Sequence, residues 1–327
     1  MVLRILFLIV IGVVPLSASD GPAGQNLLEQ GRVDLATEVL KDQIRSEPNN
    51  AQAYNLLCRV YLMADTWDLA VSACEHAVQL DPQNSQFHLW LGRSYGQKAE
   101  HVNALSAAHV AGQVRDEFET AVRLNPRSVE ARDDLADFYL EAPWVIGGGE
   151  KKAQAQAEEI QKLEPAQAEL LRARIAEKKK DFDTAENEIE RAVQDSRGAA
   201  GPWMSLADLY RRRGRFEQME QAIERATAPS LNRPDVLIRA AEMLIQSNRN
   251  LSLAESLLQR YLSSPSPSED APVFKAHYLL GTLLERRGQQ DQAFTQYRAA
   301  LALATEFTPA RSALERLMSR AGNDGAR

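Results

Sequence analysis

The chain has 327 residues, of which 44% are hydrophobic, 25% charged and only 6% aromatic, and its formal net charge is -7. A chain this poor in aromatics suits thin helix-on-helix packing better than sheets, whose strands favour aromatic and β-branched residues. The acidic balance argues against unaided nucleic-acid binding, which needs a basic face to neutralise phosphates.

The N-terminus reads as an export signal. Arg4 precedes an apolar run over residues 5–14, followed by Pro15 and the small residues Ser17, Ala18 and Ser19. That order of positive, apolar and small-residue regions is the pattern of a signal peptide. Its apolar core is shorter than the roughly 20 residues that cross a bilayer. The expectation is cleavage near Ala18 or Ser19 and a periplasmic or secreted bacterial protein; the alternative is an uncleaved anchor in the inner membrane facing the periplasm. No cysteine stands near the site to carry a lipid.

Beyond residue 19 the text repeats itself. Ala36, Leu40 and Pro48 recur 34 residues later as Ala70, Cys74 and Pro82. The grammar Tyr54-x2-Leu57-Cys58-x2-Tyr61 returns downstream as Trp203-x2-Leu206-Ala207-x2-Tyr210. A period of about 34 residues with this spacing marks stacked helix-turn-helix units. The pattern resembles the tetratricopeptide repeat (TPR) superfamily over nearly all of the chain that follows the signal. The resemblance implies an all-α, right-handed superhelix that holds other proteins.

In chain order the units fall at about 22–50, 51–84, 85–128, 129–165, 166–199, 200–233, 234–270 and 274–307, with a capping helix at 308–321 and a disordered tail at 323–327. In the first, Gly31-Arg32 makes the turn. The third is stretched by roughly ten residues within 96–113, on the 34-residue period. The fourth is stretched in its connector, 142–149. These two insertions, with Ala142-Pro143 and the triple glycine before Lys152-Ala153, look similar to a subset of exported bacterial TPR proteins. After the seventh unit the serines and prolines of 263–268 stop the helix and read as a linker or loosened joint. Arg311, Glu315, Arg316 and Arg320 give the cap a polar outer face, as a last repeat without a neighbour requires. Small residues such as Gly92 and Gly281 mark close helix crossings, tyrosines at 61, 95, 139 and 210 fill space toward the next unit, and a proline closes each unit.

Functional candidates are departures from the repeat. His101 and His109, eight apart on a helix, would share a face, but no cysteine or carboxylate cluster accompanies them, so neither a metal nor another cofactor is expected. Gly147-Gly148-Gly149 lacks the strand and spacing of a phosphate loop and reads as a flexible turn. The apolar run Pro143, Trp144, Val145 and Ile146 must either tuck back onto the solenoid or meet a partner, and burial favours tucking back. Cys58 and Cys74 fall on the two helices of one unit. Both pack as small hydrophobes, or they bridge in an oxidising compartment, although their register is offset by about one turn.

The resemblance further implies that first helices line a concave groove, faced by Asn55 and Arg59; Arg93; Glu130, Asp133, Asp137 and Glu141; Arg174 and Lys178; Asp208 and Arg212; Asp235 and Glu242; then Lys275, Tyr278 and Glu285. A basic start, acidic middle and mixed end would suit an extended peptide of alternating charge; the alternative is a set of solvated helix faces. Asn55, Arg59 and Trp90 depart from the carboxylate clamp that some TPR proteins use. Lys178-Lys179-Lys180 and Arg211-Arg212-Arg213 complement the negative ends of helix dipoles. No catalytic motif stands out. The expected function is a noncatalytic scaffold that binds a peptide segment or subunit in an envelope or secretion assembly. The rivals are a membrane-tethered structural component and an enzyme accessory or metal-binding protein; membrane contact is expected only through an uncleaved N-terminus.

Overall fold

The computed structural model describes residues 23–101, 104–231, 233–263 and 267–324; the expected signal at 1–19 lies outside them. Local chemistry explains where the helices start and stop. Asn50, Asn84, Ser128 and Asp181 each accept a backbone N–H from the first turn that follows. Such caps contribute about 1 kcal/mol each. The result is eight antiparallel hairpins: α1 (Ala23–Glu29) with α2 (Val33–Ser46), α3 (Ala51–Met63) with α4 (Trp67–Leu80), α5 (Ser85–Glu100) with α6 (Ala104–Leu124), and α7 (Val129–Glu141) with α8 (Glu150–Gln161). They continue as α9 (Pro165–Lys178) with α10 (Phe182–Asp195), α11 (Ala200–Arg212) with α12 (Phe216–Ala226), α13 (Pro234–Gln246) with α14 (Leu251–Ser263), and α15 (Val273–Arg286) with α16 (Gln290–Leu301), before a last helix, α17 (Thr308–Asp324). Pro165 and Pro234 occupy the first turn of α9 and α13 and so open helices rather than close units, since the missing N–H has no intrahelical partner there anyway.

Six of the turns between first and second helices are one structure repeated. The amides of Arg32, Thr66, Asp181, Arg215, Arg249 and Gln289 each reach the carbonyl five residues back, at 2.9–3.0 Å. The preceding residue, from Gly31 to Gly288, has positive φ in all six. This is the Schellman closure, which satisfies carbonyls that the helix end would orphan. The two exceptions are the stretched hairpins. The first insertion lengthens both arms, to 16 residues in α5 and 21 in α6. His101 therefore caps α5 while His109 sits within α6, so the shared helix face expected for them does not form.

Packing follows the small-residue positions. A Cβ on Gly281 would lie 2.7 Å from the ring of Tyr297, so only glycine allows α15 and α16 to cross this closely. Tyr95, Tyr139 and Tyr210 are buried and tie each hairpin to its predecessor, their hydroxyls donating to Glu75, Glu119 and Glu186 at 2.7–2.8 Å. Cys58 and Cys74, both fully buried, form a disulfide across α3 and α4 with their Cα atoms 5.2 Å apart. The one-turn offset read from the sequence is absent, because the two small residues face each other at the crossing.

The ends of the array meet. Thr305 donates its amide to the Asp34 carboxylate at 3.0 Å, and the Asp34 amide donates to the Leu303 carbonyl at 3.4 Å. Arg59 holds Glu269 through both carboxylate oxygens, with Nε at 3.0 and 3.2 Å. The turn at Gly31 abuts Pro272, where a Cβ would meet the proline Cβ at 2.8 Å. Leu28, Ala36 and Leu40 share one apolar cluster with Phe274, Ala300, Phe307 and Ala310. Just beyond the expected joint at 263–268, of which 264–266 lie outside the described residues, Glu269 and Pro272 supply seam contacts. The cap also has a neighbour on its entering loop. Arg311 pairs with Glu306 and Arg316 with Glu285, whereas the side chain of Arg320 lies outside the described residues. α17 runs through Asp324, so residues 323 and 324 of the expected tail are helical, and 325–327 lie outside the described residues.

Candidate functional site in the concave channel

The first helices of successive hairpins turn their charged residues toward one another. Arg93 pairs with Glu130 at 2.8 Å and Asp134 at 2.6 Å. Arg174 pairs with Asp133 and, at 2.9 Å, with Asp137. Lys178 meets Glu141 at 2.8 Å, Arg212 meets Glu177 at 2.7 Å as well as Asp208, and Lys275 meets Glu242 at 2.9 Å. The predicted groove residues do come together, but largely as each other's partners. The Lys178–Glu141 pair is exposed on both sides and contributes about 0–1 kcal/mol, whereas the Arg93 and Arg174 pairs are half-buried.

Asn55 departs from its expected place on an open groove: it is 2% exposed, and its Nδ2 has no hydrogen-bond partner among the described residues. Arg59 and Arg93 both lie over the Trp90 ring, at 4.8 and 4.6 Å from its centroid, which fixes all three side chains. His88 is buried between helices, with Nδ1 2.5 Å from Glu117 and Nε2 3.0 Å from the Pro82 carbonyl. His101 stacks on Trp67 at 5.0 Å. Among the described residues, no three histidine, cysteine, aspartate or glutamate side chains gather as metal ligands.

Two cavities adjoin along the first helices and share Asp137 and Glu141. One, of about 510 Å³, has Leu140, Leu170, Ala173 and Ile189 among Arg174, Lys178, Arg212 and Arg239. Arg239 is exposed and enters no ion pair among the described residues. The other, of about 860 Å³, brings Trp67, Trp90, Phe118 and Phe138 together with seven carboxylates (Asp65, Glu100, Glu130, Asp134, Asp137, Glu141 and Asp270) and one cation, Arg93. Desolvation and crowding act on these acids. Burial raises the Asp134 carboxyl despite Arg93 beside it. Asp137 is pushed up to about 6, chiefly by burial, with Asp133 and Asp134 adding repulsion that Arg174 only partly offsets.

Sequence reasoning missed Arg239, Asp134, Glu177 and the apolar floor. Arg239 lies between the groove positions Asp235 and Glu242, and Asp134 beside Asp133. Arg239, four residues after Asp235, already shared its helix face, whereas Asp134 was one residue out of register from Asp133.

The inserted connector does not tuck back. Trp144 is 82% and Val145 66% exposed, while Ile146 is half-buried. Its backbone is held from behind: Gly149 donates to the Tyr139 carbonyl at 2.8 Å, Gly148 to Pro143 at 3.1 Å, Arg115 to Ile146 at 3.1 Å, and the Lys152 ammonium to Gly147 at 2.8 Å. The side chains of Trp144 and Val145 project into solvent.

Repeated antiparallel hairpins, one shared turn and small residues at each crossing define an α-solenoid with a ligand-sized concave face. Two tetratricopeptide repeat family models match, over residues 27–88 and 170–234, and the chain belongs to the TPR superfamily. It is 21% identical over 294 residues to Superkiller complex protein 3 of Mus musculus, a match that covers 88% of this chain and 18% of that protein, so it spans less than a fifth of that relative's length. Yeast Tom70 superposes with a TM-score of 0.54 at 13% identity, covering 95% of this chain and 67% of that one. A TPR protein from Parabacteroides merdae superposes with a TM-score of 0.45 at 14% identity, covering 90% and 96%. Proteins built this way are in general protein-interaction scaffolds rather than catalysts.

Proposed function

We propose that this protein is a noncatalytic scaffold that holds an extended segment of a partner protein along its concave channel. The observation that carries this reading is the pair of adjoining cavities, apolar at the floor and charged at the rim, running across successive first helices. Charge assigns a direction. The cavity lined by seven carboxylates, of which Arg93 meets Glu130 and Asp134, Arg174 meets Asp137 and Lys178 meets Glu141, keeps an acidic excess that suits a stretch bearing lysine or arginine, whose cations its aromatic rings also favour. Arg239 in the neighbouring cavity, which enters no ion pair among the described residues, suits a carboxylate further along the same segment. The N-terminal signal pattern and the Cys58–Cys74 disulfide both support an oxidising compartment outside the cytoplasm, hence a role in an envelope or secretion assembly. N-terminal sequencing of the purified protein separates a cleaved, free scaffold from a tethered one.

The test uses a photo-crosslinking residue in place of Leu170 in the native cells, followed by identification of the captured segment and titration of that segment as a peptide. Asp134→Lys is expected to weaken binding of a basic segment and to reduce its salt dependence, and Arg239→Glu to weaken it when a carboxylate lies downstream. Binding of the captured segment that is indifferent to both substitutions places the interaction outside the channel and ends this reading.

A further inference from the structure

We infer that the turn at 143–149 is a membrane-contact point that seats Trp144 and Val145 at the headgroup level of an anionic phospholipid surface. The two side chains are the most exposed large hydrophobics among the described residues. Neither channel cavity reaches them, and they stand at the tip of a projecting turn rather than in a groove. A convex apolar tip has no hole to fill on a flat protein face, but a fluid interface admits it, and tryptophan favours the headgroup region. The four backbone and side-chain bonds behind the tip hold it outward, so little freedom remains to be lost on contact.

The charge around the tip decides between lipid classes. The chain as a whole carries -7 and would be repelled by an anionic surface. At this edge the ion pairs Lys178–Glu141 and Lys179–Glu150 bring the end of α9 beside the connector, and with Arg115–Asp116 behind the turn each of these pairs is neutral, so the balance rests on the remaining lysines. Lys151, Lys152, Lys178, Lys179 and Lys180 are all exposed there. Lys151 and Lys180 have no ion-pair partner among the described residues, and Asp181 is engaged as the cap of α10 through the Thr184 amide at 3.2 Å. An apolar tip with a lysine collar orients the solenoid edge-on to an anionic bilayer. This departs from the expectation that membrane contact would come only through the N-terminal segment, and it does not depend on the channel's occupant.

The test compares the full chain on vesicles of phosphatidylcholine and of equimolar phosphatidylcholine–phosphatidylglycerol, with brominated acyl chains as quenchers. None of the four tryptophans lies in residues 1–22, so insertion of the N-terminal segment does not move the signal directly. Tryptophan emission is expected to be quenched only on the anionic vesicles, and Trp144→Ala to abolish that quenching while leaving the circular dichroism unchanged. Lys151→Gln and Lys180→Gln are each expected to weaken vesicle binding by roughly fivefold at low salt, the share of one lysine near a charged bilayer. Equal quenching on both vesicle types overturns the proposal. So does quenching that survives Trp144→Ala, or a Trp144→Ala chain that keeps its vesicle affinity but loses capture of the channel's protein partner.

Discussion

The seam between the two ends of the array can be measured at the Arg59–Glu269 pair. Each side chain is 19% exposed, and the carboxylate is held in bidentate geometry. Fully exposed ion pairs contribute about 0.2–1 kcal/mol, whereas a bidentate pair largely removed from water is worth more, so a coupling of about 1–2 kcal/mol is expected. Arg59 also stacks on Trp90 at 4.8 Å, so Arg59→Ala alone would overstate the pair. A double-mutant cycle with Glu269→Ala cancels the stacking, because that contact is lost equally on both Arg59→Ala arms. Denaturant unfolding gives the coupling. Hydrogen exchange at the Thr305 amide, which donates to Asp34, reports whether loss of one seam contact loosens the other. Coupling within about 0.3 kcal/mol of zero, together with unchanged exchange at Thr305, would mean that the ends do not support one another and that closure has been misread.

Removing the Cys58–Cys74 bridge by reduction or by paired alanines should cost roughly 3 kcal/mol, since its 16-residue separation closes a short loop in the unfolded chain; identical unfolding midpoints with and without reductant would contradict this. Gly281→Leu should destabilise by about 1–3 kcal/mol through overpacking against Tyr297, and a variant as stable as the parent would show that the crossing can open at no cost. Asp137, raised from 3.8 to about 6, binds its proton more tightly when folded, so its contribution to stability is full below pH 3.8 and is lost as pH climbs through about 6. Melting temperatures across that range should fall for the parent relative to Asp137→Asn; a constant difference between the two would show that the carboxyl is not perturbed.

What could be read from residues alone was local. The 34-residue recurrence of Ala36, Leu40 and Pro48 identified helical hairpins because each hairpin's packing depends on nearby positions, and Gly92 and Gly281, at the small-residue position of the repeat, marked close crossings where Gly96 and Gly201, off that position, do not. The channel was half legible. First-helix positions put Arg93, Asp133, Asp137 and Arg174 on one face, but did not say that they would pair across adjacent hairpins, nor that Arg239 would enter no ion pair among the described residues. Periodicity places a residue on a helix face to within one position, whereas an ion pair requires the distance between two helices.

Three features belonged to the tertiary structure entirely. Whether Cys58 meets Cys74 depends on the crossing of α3 and α4 within about an ångström, finer than any repeat register. Whether Trp144 is covered depends on the path of the connector backbone, which Arg115 on Ile146 and the bond from Gly149 to Tyr139 fix with the tip outward. Closure of Asp34 on Thr305 depends on the small rotation between hairpins summed over all eight. Each hairpin senses only its neighbours, so the sequence determined a stack of hairpins, while the accumulated geometry of the stack decided that its ends would touch.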